Sequence, residues 1–186
     1  LAKEGLIPLK EVCESFEFFE HVRKGVRAPV VADLAAGHGF TGLLFAIFER
    51  EVEQVILVDT NPPTSHQRIL EALVQVAPWI EEKVRWVTGS IDDASEYLEA
   101  GTSIVAVHAC GVRTDACLDV ALSCRGHVAV MPCCYGKTGG DAPQGLRDAL
   151  GVDLTADIER TYRLEAAGYS VRWSNIPHVI TPMHRI

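Results

Sequence analysis

Apolar and polar positions along the chain follow two spacings, one typical of helices and one typical of buried strands. Leu9–Lys24 carries apolar residues near helical spacing and precedes Gly25, which predicts an amino-terminal helix. Short β-branched runs then alternate with helical patterns. The predicted strands are Val30–Leu34, Val55–Asp59, Val84–Val87, Ile104–His108 and His127–Met131, and the predicted helices between them cover 40–50, 65–77, 93–100 and 114–123. This alternation predicts a parallel sheet with helices on both faces.

The end of the chain has a different pattern. After a predicted helix over 156–167, two extended runs, Tyr169–Asn175 and His178–Arg185, are joined by a short Ile-Pro link. So short a link permits only antiparallel pairing, which predicts a carboxyl-terminal hairpin and seven strands in all. We expect one α/β domain over 1–186, with 1–28 as a helical extension and 136–145 as a long loop at the active site.

Composition excludes several classes of protein. The net charge of −8 argues against nucleic-acid binding by bulk phosphate attraction, although it leaves room for a local basic patch. The six cysteines have no disulfide-framework spacing, so we interpret them as reduced thiols. No run is apolar enough for a membrane span or a secretory signal, and a cytoplasmic protein with no membrane partner is expected. The chain begins without Met and stops inside a predicted strand, so we expect a fragment of a longer protein.

The first predicted strand ends in an acid and a turn of small residues, Asp33-Leu34-Ala35-Ala36-Gly37-His38-Gly39-Phe40. Small residues let the backbone approach a bulky ligand, and in an open parallel sheet that ligand lies beyond the carboxyl ends of the strands. Asp33 suits a ligand with a cationic amino group. The segment resembles the D/E-x-G-x-G-x-G motif of class I S-adenosylmethionine (SAM) dependent methyltransferases, with Ala35 in place of the first glycine. We expect Ala35 to keep a negative φ.

The same turn also contains Gly37-x-Gly39-x-x-Gly42, the dinucleotide fingerprint of NAD(P)-binding oxidoreductases. An acid at the strand end would repel a pyrophosphate, so Asp33 favours a cationic cofactor. Asp59, followed by Thr60, ends the second strand, where a carboxylate accepts hydrogen bonds from ribose hydroxyls in either kind of cofactor. A loop cap is the structural alternative for Asp59.

A third segment, Thr88-Gly89-Ser90-Ile91-Asp92, follows the next strand. It resembles the methyltransferase segment in which an apolar residue stacks on adenine and an acid binds the adenine amino group. This resemblance implies those roles for Ile91 and Asp92. The alternative is that Asp92, with Asp93, caps the predicted helix 93–100.

The fourth and fifth strands end in His108-Ala109-Cys110-Gly111-x-x-Thr114-Asp115 and Met131-Pro132-Cys133-Cys134-Tyr135. These segments resemble a methyltransferase subgroup with H-x-C-G…T-D and P-C-C-Y/H signatures. The subgroup includes glutathione S-transferase C-terminal-domain-containing proteins and, more remotely, a eukaryotic tRNA 2′-O-methyltransferase family. The resemblance implies a Rossmann-like class I methyltransferase fold and SAM as cofactor, and it suggests RNA as the methyl acceptor by analogy alone.

Three interpretations of these strand ends remain open. In the first, His108 lines the SAM pocket, Thr114 and Asp115 cap a helix, and the thiols are packing. In the second, Cys133 or Cys134 is a covalent nucleophile. In the third, the histidine and the cysteines bind zinc, although their spacing is unusual for that metal and we predict no metal. His108 or Asp115 is the nearest candidate base, and Tyr135 either shapes the acceptor site or packs.

Two alternatives to the enzyme stay open at this point. Loss of one motif glycine, at Ala35, is compatible with a degenerate methyltransferase-like module that acts as a scaffold. An NAD(P)-binding oxidoreductase is the other alternative. The acids Asp33, Asp59 and Asp92 together favour SAM-dependent methyl transfer.

Overall fold

Five strands and six α-helices alternate in the described part of the computed structural model, which comprises residues 5–135, 142–182 and 184–186. The helices are α1 Leu9–Val26, α2 Phe40–Phe48, α3 Thr64–Val74, α4 Val112–Cys124, α5 Gln144–Leu150 and α6 Val152–Ala166. The strands are β1 Val30–Leu34, β2 Gln54–Asp59, β3 Val84–Thr88, β4 Ser103–Val107 and β5 Val128–Met131. None of the described helices combines the length and apolar character that a bilayer span requires.

The sheet is parallel throughout and has the order β3-β2-β1-β4-β5. Side chains alternate between its two faces, as the period of two in a strand requires. On one face Val55, Leu57 and Val105 pack with Phe19 of α1 and Phe45 of α2. A second set of buried residues lies on the other face and includes Leu34, Ile56, Val58, Ile104, Ala106, Cys117 and Val120. The predicted α/β architecture with helices on both faces is confirmed.

The strand order places a crevice at one edge of the sheet. From β1 the chain turns to β2 on one side, and β4 lies on the other side, so the connections leave the carboxyl ends of β1 and β4 in opposite directions. Open parallel sheets bind ligands at such a point, because the two loops diverge and leave room between them.

Gly42 of α2 allows the helix to approach the sheet. A Cβ atom at this position would lie 3.0 Å from Val55 Cγ1 and 3.1 Å from Asp33 Cβ, and it would press on Leu57. We expect Gly42→Ala to lower the free energy of unfolding by about 1–3 kcal/mol in urea denaturation, because the added methyl group would overpack buried side chains of β1 and β2. Gly25→Ala in α1 is the matched control. Nothing lies within 4 Å of its Cβ, so equal losses in both variants would refute the packing argument.

Two predictions for the carboxyl-terminal segment are not met in the described residues. Instead of a hairpin of two strands, one antiparallel bridge joins Asn175 to Arg185, with a turn at 178–180 between them. Pro177 and Pro182 lie in this segment and cannot donate to a strand ladder, which limits pairing. Seven strands are therefore not observed in the part of the chain that the structure describes.

Two local predictions also need correction. The helix expected over 93–100 is a single 3-10 turn at Ala94–Glu96, because only Ala94 and Leu98 of this segment are buried, which is too little apolar contact to hold a longer helix. Helix α4 begins two residues before Thr114, because Gly111 turns the chain with φ +61°. The predicted loop 136–145 lies mainly outside the described residues, and α5 begins at Gln144.

Candidate active site

A cavity of about 310 Å³ opens at the crevice between the ends of β1 and β4. It brings together several predicted site residues with residues of α1 and α2. Its lining is Ile7, Glu11, Ser15, Asp33, Ala35, Ala36, Gly37, His38, Phe40, Thr41, Val107 and His108. Among these lining residues the formally charged ones are Asp33 and Glu11, and none is Lys or Arg. The cavity therefore suits a cationic ligand and disfavours a pyrophosphate.

Asp33 is the buried acid of this cavity. The residue is only 2% exposed, and its Oδ2 accepts a hydrogen bond of 2.8 Å from the Gly42 backbone N–H. Burial raises the pKa of Asp33 to about 7 from 3.8, the Gly42 hydrogen bond opposes this rise, and the charge of Asp59 adds to it. A cationic ligand beside Asp33 would stabilise the ionised form of this buried carboxylate.

The turn after β1 has an unusual backbone. Ala35, Gly37 and Gly39 all have positive φ, at 55°, 54° and 77°. The expectation of a negative φ at Ala35 was wrong. The positive φ of Ala35 accompanies a bend of the chain toward β2, where the Ala36 N–H donates a hydrogen bond to the Val58 carbonyl. A left-handed alanine is strained by about 1 kcal/mol, and such strain concentrates at ligand sites. The side chain of His66 lies against Gly39, and a Cβ atom at residue 39 would be 3.1 Å from its Nδ1 atom.

Asp59 holds the same turn from β2. Its Oδ2 accepts a 2.9 Å hydrogen bond from the Gly37 N–H, and its Oδ1 accepts one of 2.7 Å from the Thr60 N–H. Oδ1 also accepts a hydrogen bond of 3.3 Å from the Thr60 hydroxyl, so Oδ2 is the oxygen with a lone pair left for a further donor. The carboxylate thus lies beside the cavity, in line with the predicted ribose role, although Asp59 and Thr60 do not line the cavity itself.

Ile91 and Asp92 follow β3 at the same edge of the sheet but do not line the cavity. Asp92 is exposed, and its backbone N–H donates to Ser90 Oγ at 3.2 Å. The residue before the 3-10 turn is Asp93, and its side chain makes no capping hydrogen bond. The adenine roles of Ile91 and Asp92 stay predictions.

His108 is paired with a buried acid that the sequence analysis did not identify. Its Nε2 lies 2.9 Å from Oε2 of Glu14 on α1, a residue with no exposed surface. Burial raises the pKa of Glu14, but hydrogen bonds from Lys10, Thr181 and His108 outweigh it, so the net pKa is lowered. His108 has a φ of +64° and lines the cavity. An ionised acid therefore orients an imidazole at the cavity wall.

Asp115 lies in the first turn of α4 and is paired with a residue of α6. Its two oxygens accept hydrogen bonds of 2.8 and 2.9 Å from Nε and Nη2 of Arg160. Thr114 is buried and donates to the Ala109 carbonyl, so neither residue caps the helix, which corrects that interpretation. A bidentate pair holds the Asp115 carboxylate firmly, and its predicted role as a base remains untested.

Tyr135 lies between two arginines. Its hydroxyl donates to Asp157 Oδ2 at 2.7 Å, and the guanidinium carbons of Arg160 and Arg185 lie 5.5 and 5.8 Å from its ring centroid. Burial and the Asp157 carboxylate raise the pKa of Tyr135 well above its usual range. The tyrosine therefore stays protonated and anchors the carboxyl-terminal segment to α6.

The ends of β4 and β5 also bring thiols together. Cys110 and Cys133 are joined as a disulfide, which corrects the expectation that every cysteine is reduced. Adjacent parallel strands explain the pairing, because β4 and β5 end side by side. Cys134 is free and exposed, with its sulfur 3.5 Å from that of Cys133. Of the two candidate nucleophiles, Cys134 alone has a free thiol.

Sequence reasoning missed Glu14, Glu11, Ser15, His38 and Thr41. Glu14 and Ser15 are buried polar residues on α1, a helix whose apolar spacing gave no sign of a polar face toward the sheet. Their partners lie far along the chain: His108 is 94 residues from Glu14, and Thr41 donates to Ser15 across 26 residues. The one signal in the sequence is the spacing of Glu14, which lies four residues before Phe18 and eight before Val22 and so falls on the apolar stripe of the helix.

Comparison with known proteins gives a family and a fold. Residues 8–139 match the model of a family described as a methyltransferase domain. A glutathione S-transferase C-terminal domain-containing protein from Xenopus laevis is 30% identical over 109 residues, which is 57% of this chain and 16% of that protein. This chain therefore spans only a small part of that relative.

Solved structures show the same fold at low sequence identity. A SAM-dependent methyltransferase from Aquifex aeolicus is 14% identical, with a TM-score of 0.57 over 98% of this chain and 92% of that chain. Precorrin-6y C5,15-methyltransferase from Geobacter metallireducens is also 14% identical, with a TM-score of 0.56 over 92% and 77%. Likeness at this level of identity shows the fold and leaves the acceptor open.

Proposed function

The chain belongs to this family of methyltransferase domains, and from that premise we propose that it binds SAM in the cavity and transfers the methyl group to RNA. The acid-lined cavity is the observation that supports SAM most strongly. Asp33 and Glu11 contribute negative charge, and no Lys or Arg lies among the described lining residues. SAM carries an ammonium, a sulfonium and a carboxylate, so its net charge is positive and complements the acidic lining.

The chain's residues divide the work of holding SAM. Asp33 accepts hydrogen bonds from the methionine ammonium, and Asp59 accepts them from the ribose hydroxyls while it fixes Gly37. Ile91 stacks on the adenine and Asp92 binds the adenine amino group. When bound, SAM supplies a methyl group that the sulfonium has already activated for in-line displacement.

His108 is the general base for the acceptor hydroxyl. Its Nε2 carries the proton that faces the ionised Glu14, so Nδ1 is left with the lone pair. With SAM bound, Nδ1 would take the proton of the acceptor hydroxyl while the new oxygen–carbon bond replaced the sulfur–carbon bond of the methyl donor, which would leave as S-adenosylhomocysteine. Glu14 acts through His108 as a positioning residue, and Phe40 and Val107 contribute apolar surface to the cavity wall.

A basic groove supports RNA as the acceptor. The groove, of about 1290 Å³, is bordered by α1, α4, β5, α6 and the carboxyl-terminal segment. Its lining includes five basic side chains, Lys24, Arg125, Arg160, Arg172 and Arg185, and one acid, Asp157. The whole chain has the opposite balance, with 17 Lys and Arg against 25 Asp and Glu. The groove is therefore a local basic patch on an acidic protein.

The groove also offers an aromatic surface on which bases can stack. Trp173 is 42% exposed in its lining, and an exposed aromatic ring is a platform on which an unpaired base stacks. The groove reaches Pro132, next to Cys133 and near Tyr135 at the end of β5. For methyl transfer, a single-stranded RNA segment in the groove has to extend beyond this end of β5 to His108, which lines the separate cavity.

Transfer of a tritiated methyl group from SAM to a tRNA pool tests this function, with nuclease digestion to identify the product. Replacing Lys24, Arg125 and Arg172 together by Ala should lower the slope of log affinity against log salt by about 2, because each phosphate contact contributes about 0.7 on single strands. The matched control replaces Arg50, Arg68 and Arg85, exposed cations outside the groove. Equal losses in both triple variants, or methyl transfer to protein alone, would contradict RNA docking in the groove.

A further inference from the structure

Three sulfur atoms converge at the ends of β4 and β5, beside the cavity. The Sγ atoms of Cys110, Cys133 and Cys134 all lie within 4.8 Å of one another. Among the described residues, these three form the one group of three or more metal-ligating side chains. We propose that the reduced protein binds a zinc ion through these three thiolates, with the fourth coordination position open to solvent.

The geometry suits a tetrahedral thiolate site. Zinc–sulfur bonds are about 2.3 Å long, so the sulfur ligands of one ion lie about 3.8 Å apart. The Cys133 and Cys134 sulfurs are 3.5 Å apart, and all three are already within 4.8 Å, so side-chain rotation alone brings them to this spacing. The Cα atoms of Cys110 and Cys133 are 5.7 Å apart, close enough for both to reach one ion.

Packing does not explain these three cysteines. The two cysteines of α4, Cys117 and Cys124, are buried in the core, and burial raises the pKa of Cys117 to about 12, which keeps that thiol protonated. Cys134 is exposed instead, although free cysteine is among the most buried residue types. A metal ion in solvent can therefore reach the exposed sulfur of Cys134 at this strand end.

The coordination number follows from the neighbours. His108 lies two residues before Cys110, but neither of its ring nitrogens belongs to the group of ligand atoms within 4.8 Å of one another, so we assign no histidine to the ion. The exposure of Cys134 leaves solvent access on one side. When zinc binds, each of the three thiols releases a proton to solvent, and the ion ties the loop of His108 to the end of β5.

The disulfide between Cys110 and Cys133 and the zinc ion are mutually exclusive, since two of the ligands are shared. The test therefore begins with the complete chain reduced by a phosphine, which donates the two electrons and is itself oxidised to the phosphine oxide. Cobalt(II) is the probe, because thiolate coordination gives it a charge-transfer absorption. We expect one cobalt per chain with that absorption, displaced by zinc.

Substitutions then locate the site. Cys110→Ser, Cys133→Ser and Cys134→Ser should each abolish the one-to-one end point, whereas Cys13→Ser, at a half-buried cysteine on α1, should leave it unchanged. Absence of the charge-transfer absorption in the reduced wild-type chain would overturn the proposal. Persistence of the full end point in the Cys134→Ser variant would overturn it as well. Neither readout needs SAM or methyl transfer, so this test and that of the proposed function fail separately.

Discussion

We expect the Asp33→Asn variant to be more stable than the wild-type chain at pH 8 and to bind SAM on the order of 100-fold more weakly. The asparagine side chain can still accept the Gly42 hydrogen bond, but it carries no charge to bury. The loss of binding reflects the missing ion pair with the methionine ammonium, since a hydrogen bond between charged groups is worth about 1.5–3 kcal/mol.

The stability difference should depend on pH in a defined direction. Folding raises the pKa of Asp33 from 3.8 to about 7, so the folded state holds this proton more tightly than the unfolded state. The contribution of Asp33 to stability is therefore fully present below about pH 4 and is lost as the pH rises through about 7. Replacing the group by Asn removes a cost of roughly 3–4 kcal/mol at pH 8 and much less at pH 4.

Thermal unfolding at pH 4, 6 and 8 measures this effect, with calorimetry for SAM affinity. We expect the melting temperature to rise by roughly 6–16 °C at pH 8. Asp93→Asn, at an exposed carboxylate, is the control and should change neither quantity. A pH-independent difference between the Asp33→Asn variant and the wild-type chain would show that Asp33 is not the titrating group.

The second large effect is expected at His108. Replacing His108 by Gly should lower kcat for methyl transfer by about 10²- to 10⁴-fold, the contribution typical of a general base. Glycine is chosen because residue 108 has a φ of +64°, which glycine adopts without strain. Added imidazole should restore part of the rate, because the vacated space lies at the cavity wall.

Glu14→Gln separates positioning from catalysis. The Gln side chain retains the size of Glu14 but not the charge that orients Nε2 of His108. We expect a lower kcat with little change in the KM for SAM, and the same imidazole response as the wild-type chain. Steady-state rates at varied SAM concentration give both quantities.

The prediction for His108 can also fail. A rate within about threefold of the wild-type value in the His108→Gly variant would remove His108 from the mechanism.

Local sequence was enough to predict the parallel sheet and the two acids that lie at or beside the cavity. The β-branched runs of β1 and β2 are buried on both faces, so their identity does not depend on distant partners. The acids at their ends, Asp33 and Asp59, follow from the same pattern, because the carboxyl ends of parallel strands meet at one edge. The residues that complete the site depend on tertiary contacts instead.

Those tertiary contacts explain what sequence reasoning could not supply. Glu14 gains its importance only when α1 packs across β4, and Asp115 is matched to Arg160 across 45 residues. Ala35 has a conformation that its residue type disfavours, because β2 draws the turn toward it. The carboxyl-terminal segment shows the reverse case, since its extended pattern was clear but only the Asn175–Arg185 bridge forms among the residues described there.

Calorimetric titration of the chain with SAM, S-adenosylhomocysteine and NADH tests the central claim most directly. We expect one molecule of SAM or S-adenosylhomocysteine to bind per chain and no heat from NADH. We also expect loss of binding in Asp59→Ala, which removes the proposed ribose acceptor and the observed Gly37 contact. Binding of NADH without SAM would contradict the cofactor assignment. Binding of none of the three would contradict it as well, and would identify a methyltransferase fold that has kept its architecture and lost its cofactor.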